Sequence, residues 1–134
     1  MTEETTPPPV YVIDDLIARP GQGDALRRAY LDRYAPGARR RGMQLVHELV
    51  SPPVWLPDGS NRLLFVWTVP GAGGVWAMKH AGRQDPEVVA WWNESAPELI
   101  ASRSRSICAG PDALPARVLH RPHAARSRHR RPCT

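Results

Sequence analysis

Apolar and polar positions change their period several times along this chain, and each change marks an element boundary. Residues 10–18 form a β-rich apolar run interrupted by Asp14 and Asp15, which predicts a first strand. Residues 19–24 carry turn chemistry, with Asp24 placed to cap a helix. Residues 25–41 then take up helical spacing, with Leu26, Ala29, Tyr30 and Tyr34 on one stripe. Pro36-Gly37 should kink this helix. Arg39, Arg40 and Arg41 suit its negative C-terminal end, and Gly42 suits the position just past it, an explanation that needs no ligand. Residues 43–51 read as a second strand stopped by Pro52-Pro53, and residues 61–69 as a third and more apolar one. The glycine-rich stretch at 70–74 predicts a break, followed by a short helix over 75–81. Asp85-Pro86-Glu87 has the order of an N-cap, a first-turn proline and an acidic first turn. The helix it opens carries Val88, Trp91, Trp92, Ala96 and Leu99 on one broad face, with Pro97 bending it, and residues 102–109 supply a last strand.

The order is therefore β-α-β-β-α-β, an α+β domain with a four-stranded antiparallel sheet. Its first and third strands lie centrally and both helices cover one face. The third strand is apolar on both sides, because Leu63, Phe65 and Trp67 alternate with Leu64 and Val66. The second sheet face therefore also needs cover, and a second copy of the chain is the simplest source of it. Residues 1–9 are expected to be a disordered leader, 10–109 the folded domain, and 110–134 a basic, disordered tail.

Charge sharpens that division. Residues 111–134 hold six arginines and one acid, Asp112, which accounts for the whole formal charge of +5. The body is left neutral, so a folded phosphate-binding surface is not expected, and nucleic acid could at most touch the tail loosely. No apolar run approaches the ~20 residues needed to span a bilayer, and the acidic, proline-rich start is unlike a signal peptide. A cytoplasmic protein without membrane association is the expectation. Cys108 and Cys133 are too few for a disulfide framework and are read as thiols.

Several stretches together resemble the dimeric α+β barrel superfamily, ferredoxin-like in fold, near its NIPSNAP-like and antibiotic-biosynthesis-monooxygenase-like branches. They are Val10-Tyr11-Val12-Ile13 leading to Arg19-Pro20-Gly21, Gly42-Met43, Trp67, Arg83-x-Asp85-Pro86-Glu87 before Trp91-Trp92, and Arg103-x-Arg105. The resemblance covers residues 10–108. It implies a homodimer with a dry ligand cavity between sheet and helices or inside the barrel. It also implies a range of activities that includes cofactor-free monooxygenases, polyketide cyclases, haem-degrading enzymes and small lyases. NIPSNAP-like members often carry an arginine in the first strand. This chain has Asp14 there, so that arginine's role does not transfer.

The candidate chemistry is positional. Asp14 and Asp15 fall on opposite faces of the first strand, and a carboxylate facing a dry cavity can act as a general base. Strict alternation puts His47 on the face of Met43, Leu45 and Leu49, where an imidazole could shuttle protons. His80 stacks one turn from Trp76, and the resemblance implies that a histidine in this region binds iron in haem-degrading relatives. Arg83 could hold an anionic group. Phe65, Trp67, Trp76 and Trp92 offer aromatic walls for a hydrophobic substrate. No metal and no cofactor is expected, haem being the alternative. The function these residues suggest is cofactor-independent acid-base catalysis by a cyclase, isomerase or lyase acting on a hydrophobic, polyketide-like or cyclic metabolite. Asp14 or His47 would take the proton, and His80 or Arg83 would steady an oxyanion. The alternatives are a cofactor-free or haem-linked monooxygenase, with Trp67 or Trp76 near the oxidised carbon, and a non-catalytic small-molecule-binding dimer.

Overall fold

The first strand, β1 (Pro9–Ala18), alternates along its length: Val12, Asp14, Leu16 and Ala18 are buried, while Tyr11, Ile13, Asp15 and Ile17 are half-buried. The computed structural model describes residues 7–114 of the chain. Strands β2 (Gln44–Ser51), β3 (Arg62–Pro70) and β4 (Ile100–Ala109) complete an antiparallel sheet in the order β2-β3-β1-β4. The ferredoxin-like order read from the sequence is the observed one. The helices lie on one face, over Val12, Asp14, Leu16, Leu63, Phe65, Trp67 and Val69.

The other face shows why alternation alone was informative. Tyr11, Ile13 and Ile17 of β1 stand beside Leu64, Val66 and Thr68 of β3, all half-buried, with the exposed Leu49 of β2 next to them. Along β4 this face is polar, carrying Ser102, Ser104, Ser106 and Cys108. Asp15 lies here as well, and Arg62 donates to it from Nε at 2.9 Å and from NH2 at 2.6 Å. Those bonds first, and the Arg62 charge with them, hold the Asp15 carboxyl below its ordinary pKa. Among the described residues nothing of the chain's own covers this apolar strip.

The first helical segment runs α1 (Gly23–Ala29), a π-helical turn (Tyr30–Tyr34) and α2 (Ala35–Arg40). The second runs α3 (Gly71–Arg83), then α4 (Pro86–Ala90), a π-helical turn (Trp91–Ser95) and α5 (Ala96–Leu99). The two π turns have the same cause. Pro36 and Pro97 each lack an N–H and crowd the carbonyl four residues back. A widened turn just before each proline bonds the preceding N–H one residue further back, Ala35 to Tyr30 and Ala96 to Trp91. The kinks expected at these prolines are thus insertions that keep the helix running. Adjacent Trp91 and Trp92 both pack inward, against Tyr30 at 6.3 Å and Tyr34 at 5.3 Å between ring centroids.

Two boundaries differ from the sequence reading. Helix α1 starts at Gly23 with Gln22 before it, so Asp24 sits inside the first turn, where it pairs with Arg28 at 2.8 Å. Helix α3 begins at Gly71 rather than after a break, because Gly71 takes a φ of +66° and Gly74 leaves room for Pro70, whose Cδ would lie 2.9 Å from a Cβ there. The start of the leader and the arginine-rich part of the tail, with Cys133, lie outside the described residues. No helix among those described is long and apolar enough to cross a membrane.

Candidate functional site

Asp14 forms the centre of the buried polar chemistry. It is 1% exposed, in the middle of β1, directly opposite Arg105 in the β1–β4 register. Arg105 donates from Nε to Oδ1 at 2.6 Å and from NH2 to Oδ2 at 2.9 Å. The Tyr30 hydroxyl donates to the same Oδ2 at 2.6 Å and accepts from Trp67 Nε1 at 2.7 Å. Burial first, then the Asp14 charge, pushes the Tyr30 phenol well above its ordinary value, so it stays a donor. For Arg105, burial lowers the pKa, but the bonds and charge of Asp14, together with Tyr34, outweigh it and the net shift is upward. The guanidinium is a permanent cation.

From Arg105 the network turns outward. Its NH2 also donates to the Tyr34 hydroxyl at 2.7 Å, and Arg41 NH2 donates to the same oxygen at 3.3 Å. Tyr34 reaches this point because the π turn carries Tyr30 and Tyr34 onto the sheet together. Arg41 reaches it through the end of α2. The Gly42 N–H bonds to Arg39 O and the Met43 N–H to Ala38 O, both at 3.0 Å, with Gly42 at a φ of +94°. This closes the helix on Arg41 and turns its side chain inward, where it is 6% exposed. Arg41 NH1 contacts Asp85 Oδ2 at 3.4 Å, and Asp85 caps α4 through the Glu87 N–H at 2.9 Å.

Tyr34, Arg41 and Arg105 open onto a cleft of about 400 Å³ between α3, α4 and β4. Its apolar wall is Met78, Val88, Val89 and Trp92. Of its eleven lining residues four are cationic, Arg41, Lys79, Arg83 and Arg105, and none is acidic, so the cleft favours anionic ligands. Arg103 stacks over Trp92 at 4.1 Å and steadies that wall. A second cleft, of about 390 Å³ beside Asp32, Arg33, Arg40 and Glu87, mixes both signs of charge and reaches neither Tyr34 nor Asp14.

Of the sequence candidates, Arg83 and Trp92 line the cleft. Asp14 stands behind it, its oxygens occupied by Arg105 and Tyr30. Phe65 and Trp67 are core, Phe65 stacking on Tyr30 at 3.8 Å between centroids. His47 is not brought to the site. A bulge at Val46 breaks strict alternation, so Leu45 pairs with Trp67 on the helix side while His47 pairs with Val66 on the open side. His80 and Trp76 are exposed on α3, with Gln84 at 3.5 Å from His80 and Lys79 at 5.7 Å from the Trp76 ring. His80 lines neither cleft, so the residues around it do not fit a haem. Among the described residues no group of three or more His, Cys, Asp or Glu could hold a metal ion. Sequence reasoning missed Tyr34, Arg41 and Arg105 as site residues. Tyr34 stood on the predicted apolar stripe, and Arg105 on the strand opposite an unexplained buried acid.

No family model and no curated protein matches the sequence. Solved structures share the fold. A NIPSNAP family protein of unknown function from Agrobacterium tumefaciens aligns with a TM-score of 0.62 at 13% identity, over 81% of this chain and 94% of that one. An uncharacterised NIPSNAP domain protein from Burkholderia xenovorans aligns at 0.61 and 12% identity, over 79% and 98%. A protein from Nitrosomonas europaea named for the antibiotic biosynthesis monooxygenases aligns at 0.52 and 13% identity, over 82% and 96%.

Proposed function

We propose that this chain, which has the fold of the NIPSNAP proteins, is a homodimeric small-molecule enzyme that transfers a proton through Tyr34 to a partly apolar substrate in the adjoining cleft. The observation that carries this reading is the Tyr34 oxygen, which accepts from two guanidinium groups, at 2.7 and 3.3 Å. Both contacts use its lone pairs and leave its own proton free for a ligand oxygen; the remaining neighbour, Met43 Sδ, is 4.0 Å away and a weak acceptor. When a substrate carbonyl enolises, its oxygen takes the Tyr34 proton as the α-proton leaves to water at the cleft mouth. Arg41 and Arg105 then hold the negative charge left on the tyrosyl oxygen until water restores the proton. Asp14 is a positioning residue in this scheme, since it fixes Arg105. The proton path runs through Tyr34 in place of Asp14, His47 and His80.

Proton transfer of this kind serves isomerisation, cyclisation or elimination, and needs only residues of the chain and water. Oxygenation has less support: it draws on the name of the Nitrosomonas neighbour, and of the two residues suggested for it Trp76 is 69% exposed and Trp67 is packed in the core, outside the cleft. The second copy is proposed to cover the apolar strip of Ile13, Leu64 and Val66. The test is α-proton exchange of 2-tetralone in D2O, followed by proton NMR. The protein should accelerate exchange above buffer, and Tyr34→Phe should remove about a hundredfold or more of that rate while its far-ultraviolet spectrum stays that of the folded parent. An exchange rate equal to buffer, or a Tyr34→Phe rate equal to the parent's, rejects the reading.

A further inference from the structure

We infer that the ligand of this cleft is a carboxylate, and that Arg41 receives it. The inference rests on the cleft being the functional site, though not on proton transfer occurring there. Its basis is the contrast between two arginines that bound one cavity. Arg105 is firmly tied: three donated bonds of 2.6, 2.9 and 2.7 Å join its Nε and NH2 to Asp14 and Tyr34. Arg41 is the more deeply buried of the two, 6% against 30% exposed at the side chain, yet it has only two long contacts, 3.4 Å to Asp85 and 3.3 Å to Tyr34. Its Nε is buried and has no acceptor among the described residues. A guanidinium withdrawn from water with a donor unmet is costly to hold, and here the Gly42 turn holds it. The α3 backbone passes close by at Gly82, where an added Cβ would lie 3.6 Å from Nε, so no side chain comes between.

The chemistry of the missing acceptor follows from what surrounds it. Nε and NH2 of one guanidinium present two parallel N–H groups, which match the two oxygens of a carboxylate. Lys79 and Arg83 line the same cleft and make no ion pair among the described residues, so they add two positive charges, both on exposed side chains. Asp85 subtracts one, and it does so 3.4 Å from the guanidinium that receives the ligand. The balance of Arg41, Lys79, Arg83 and Asp85 is two positive charges at the mouth of the cleft and none at its buried end, where a monoanion meets less repulsion from Asp85 than a phosphate dianion does. The walls of Val88, Val89 and Trp92 then take an apolar body joined to that carboxylate.

Calorimetric titration with 2-naphthoate, 2-naphthamide and 2-naphthyl phosphate tests this without turnover. Naphthoate should bind about tenfold tighter than naphthamide, the loss expected from one charge-assisted bond, and no weaker than the phosphate. Arg41→Gln combined with Asp85→Asn keeps the buried charge balanced and should abolish the preference for naphthoate. Exposed Arg83→Gln should weaken naphthoate about two- to fivefold, as a screened charge does. Equal affinity for naphthoate and naphthamide overturns the inference, as does a preference that survives the double substitution or a phosphate bound tenfold tighter than naphthoate. A clear naphthoate preference in a protein inactive towards 2-tetralone would remove the proton-transfer reading and leave this one standing.

Discussion

Arg105 grips Asp14 across the β1–β4 register with both prongs of its guanidinium, Nε at 2.6 Å and NH2 at 2.9 Å, while only 2% of the Asp14 side chain meets solvent. The pair joins an edge strand to the sheet centre and points the second N–H of Arg105 NH2 at Tyr34. Removing the cation leaves a buried carboxylate with one neutral partner. Arg105→Met should therefore cost about 3 kcal/mol in urea unfolding, the low end for a broken buried pair, because Arg105 keeps some exposure. Replacing both, with Asp14→Leu added, should recover part of that loss. A single substitution that unfolds at the parent's urea midpoint would show that the pair is dispensable.

Tyr30 gives a spectroscopic check on the same network. The fold favours the neutral phenol, so its folded-state pKa lies well above the ordinary 10.0. The sign follows directly: the stability this provides is complete below pH ~10 and is lost as pH rises from there towards the raised value. In a 295 nm alkaline titration, the parent and Tyr30→Phe should show the same tyrosinate step up to pH ~11. The missing amplitude should appear only when alkali unfolds the chain. A larger step in the folded parent than in Tyr30→Phe would place Tyr30 in contact with water.

Much of this architecture was legible in the chain. Two-residue alternation in β1 and β3 assigned their two faces, and the proline and glycine punctuation ordered the elements. Asp14 and Asp15 could be singled out because acids among apolar strand residues must find partners, but alternation alone did not say which of the two faces the helices. The rest needed the third dimension. His47 changed sides because one unpaired residue, Val46, shifts the phase of β2, and no periodicity reveals a bulge. Arg41 looked like Arg39 and Arg40, which are exposed helix-end cations as expected. Three consecutive residues span most of a helical turn, so one of them had to face inward. Only the packing of α3 and α4 over α2 makes that position a cleft wall.

Asn61 should prove the anchor of the β2–β3 loop. It is fully buried, donates to Val54 O at 2.8 Å and to Pro52 O at 3.3 Å, and accepts from the Leu56 N–H at 3.0 Å. Asn61→Ala strands these three backbone groups and should cost about 2–3 kcal/mol of stability. Gly23→Ala attacks the same anchor from the helix side, since its Cβ would come within 2.7 Å of Asn61 Oδ1. Thermal melting of both variants should fall together. A melting temperature unchanged in Asn61→Ala would mean that water replaces its bonds without loss.

The open sheet face makes the assembly testable by one buried charge. Val66 sits at the middle of the apolar strip, beside Ile13 on β1, and is half-buried within its own chain. In a lone subunit an aspartate there still reaches water, so Val66→Asp should leave the fold intact and its far-ultraviolet spectrum unchanged. Against a second sheet the same carboxylate would be desolvated with no cation opposite, a cost of several kcal/mol per ion in each of two equivalent positions. Sedimentation equilibrium at micromolar concentration should therefore report a dimer for the parent and a monomer for Val66→Asp. Arg62→Gln provides the control, since it only loosens the Asp15 pair at the rim of this face. If the parent sediments as a monomer, or Val66→Asp as a dimer, the strip is not the surface through which two copies meet.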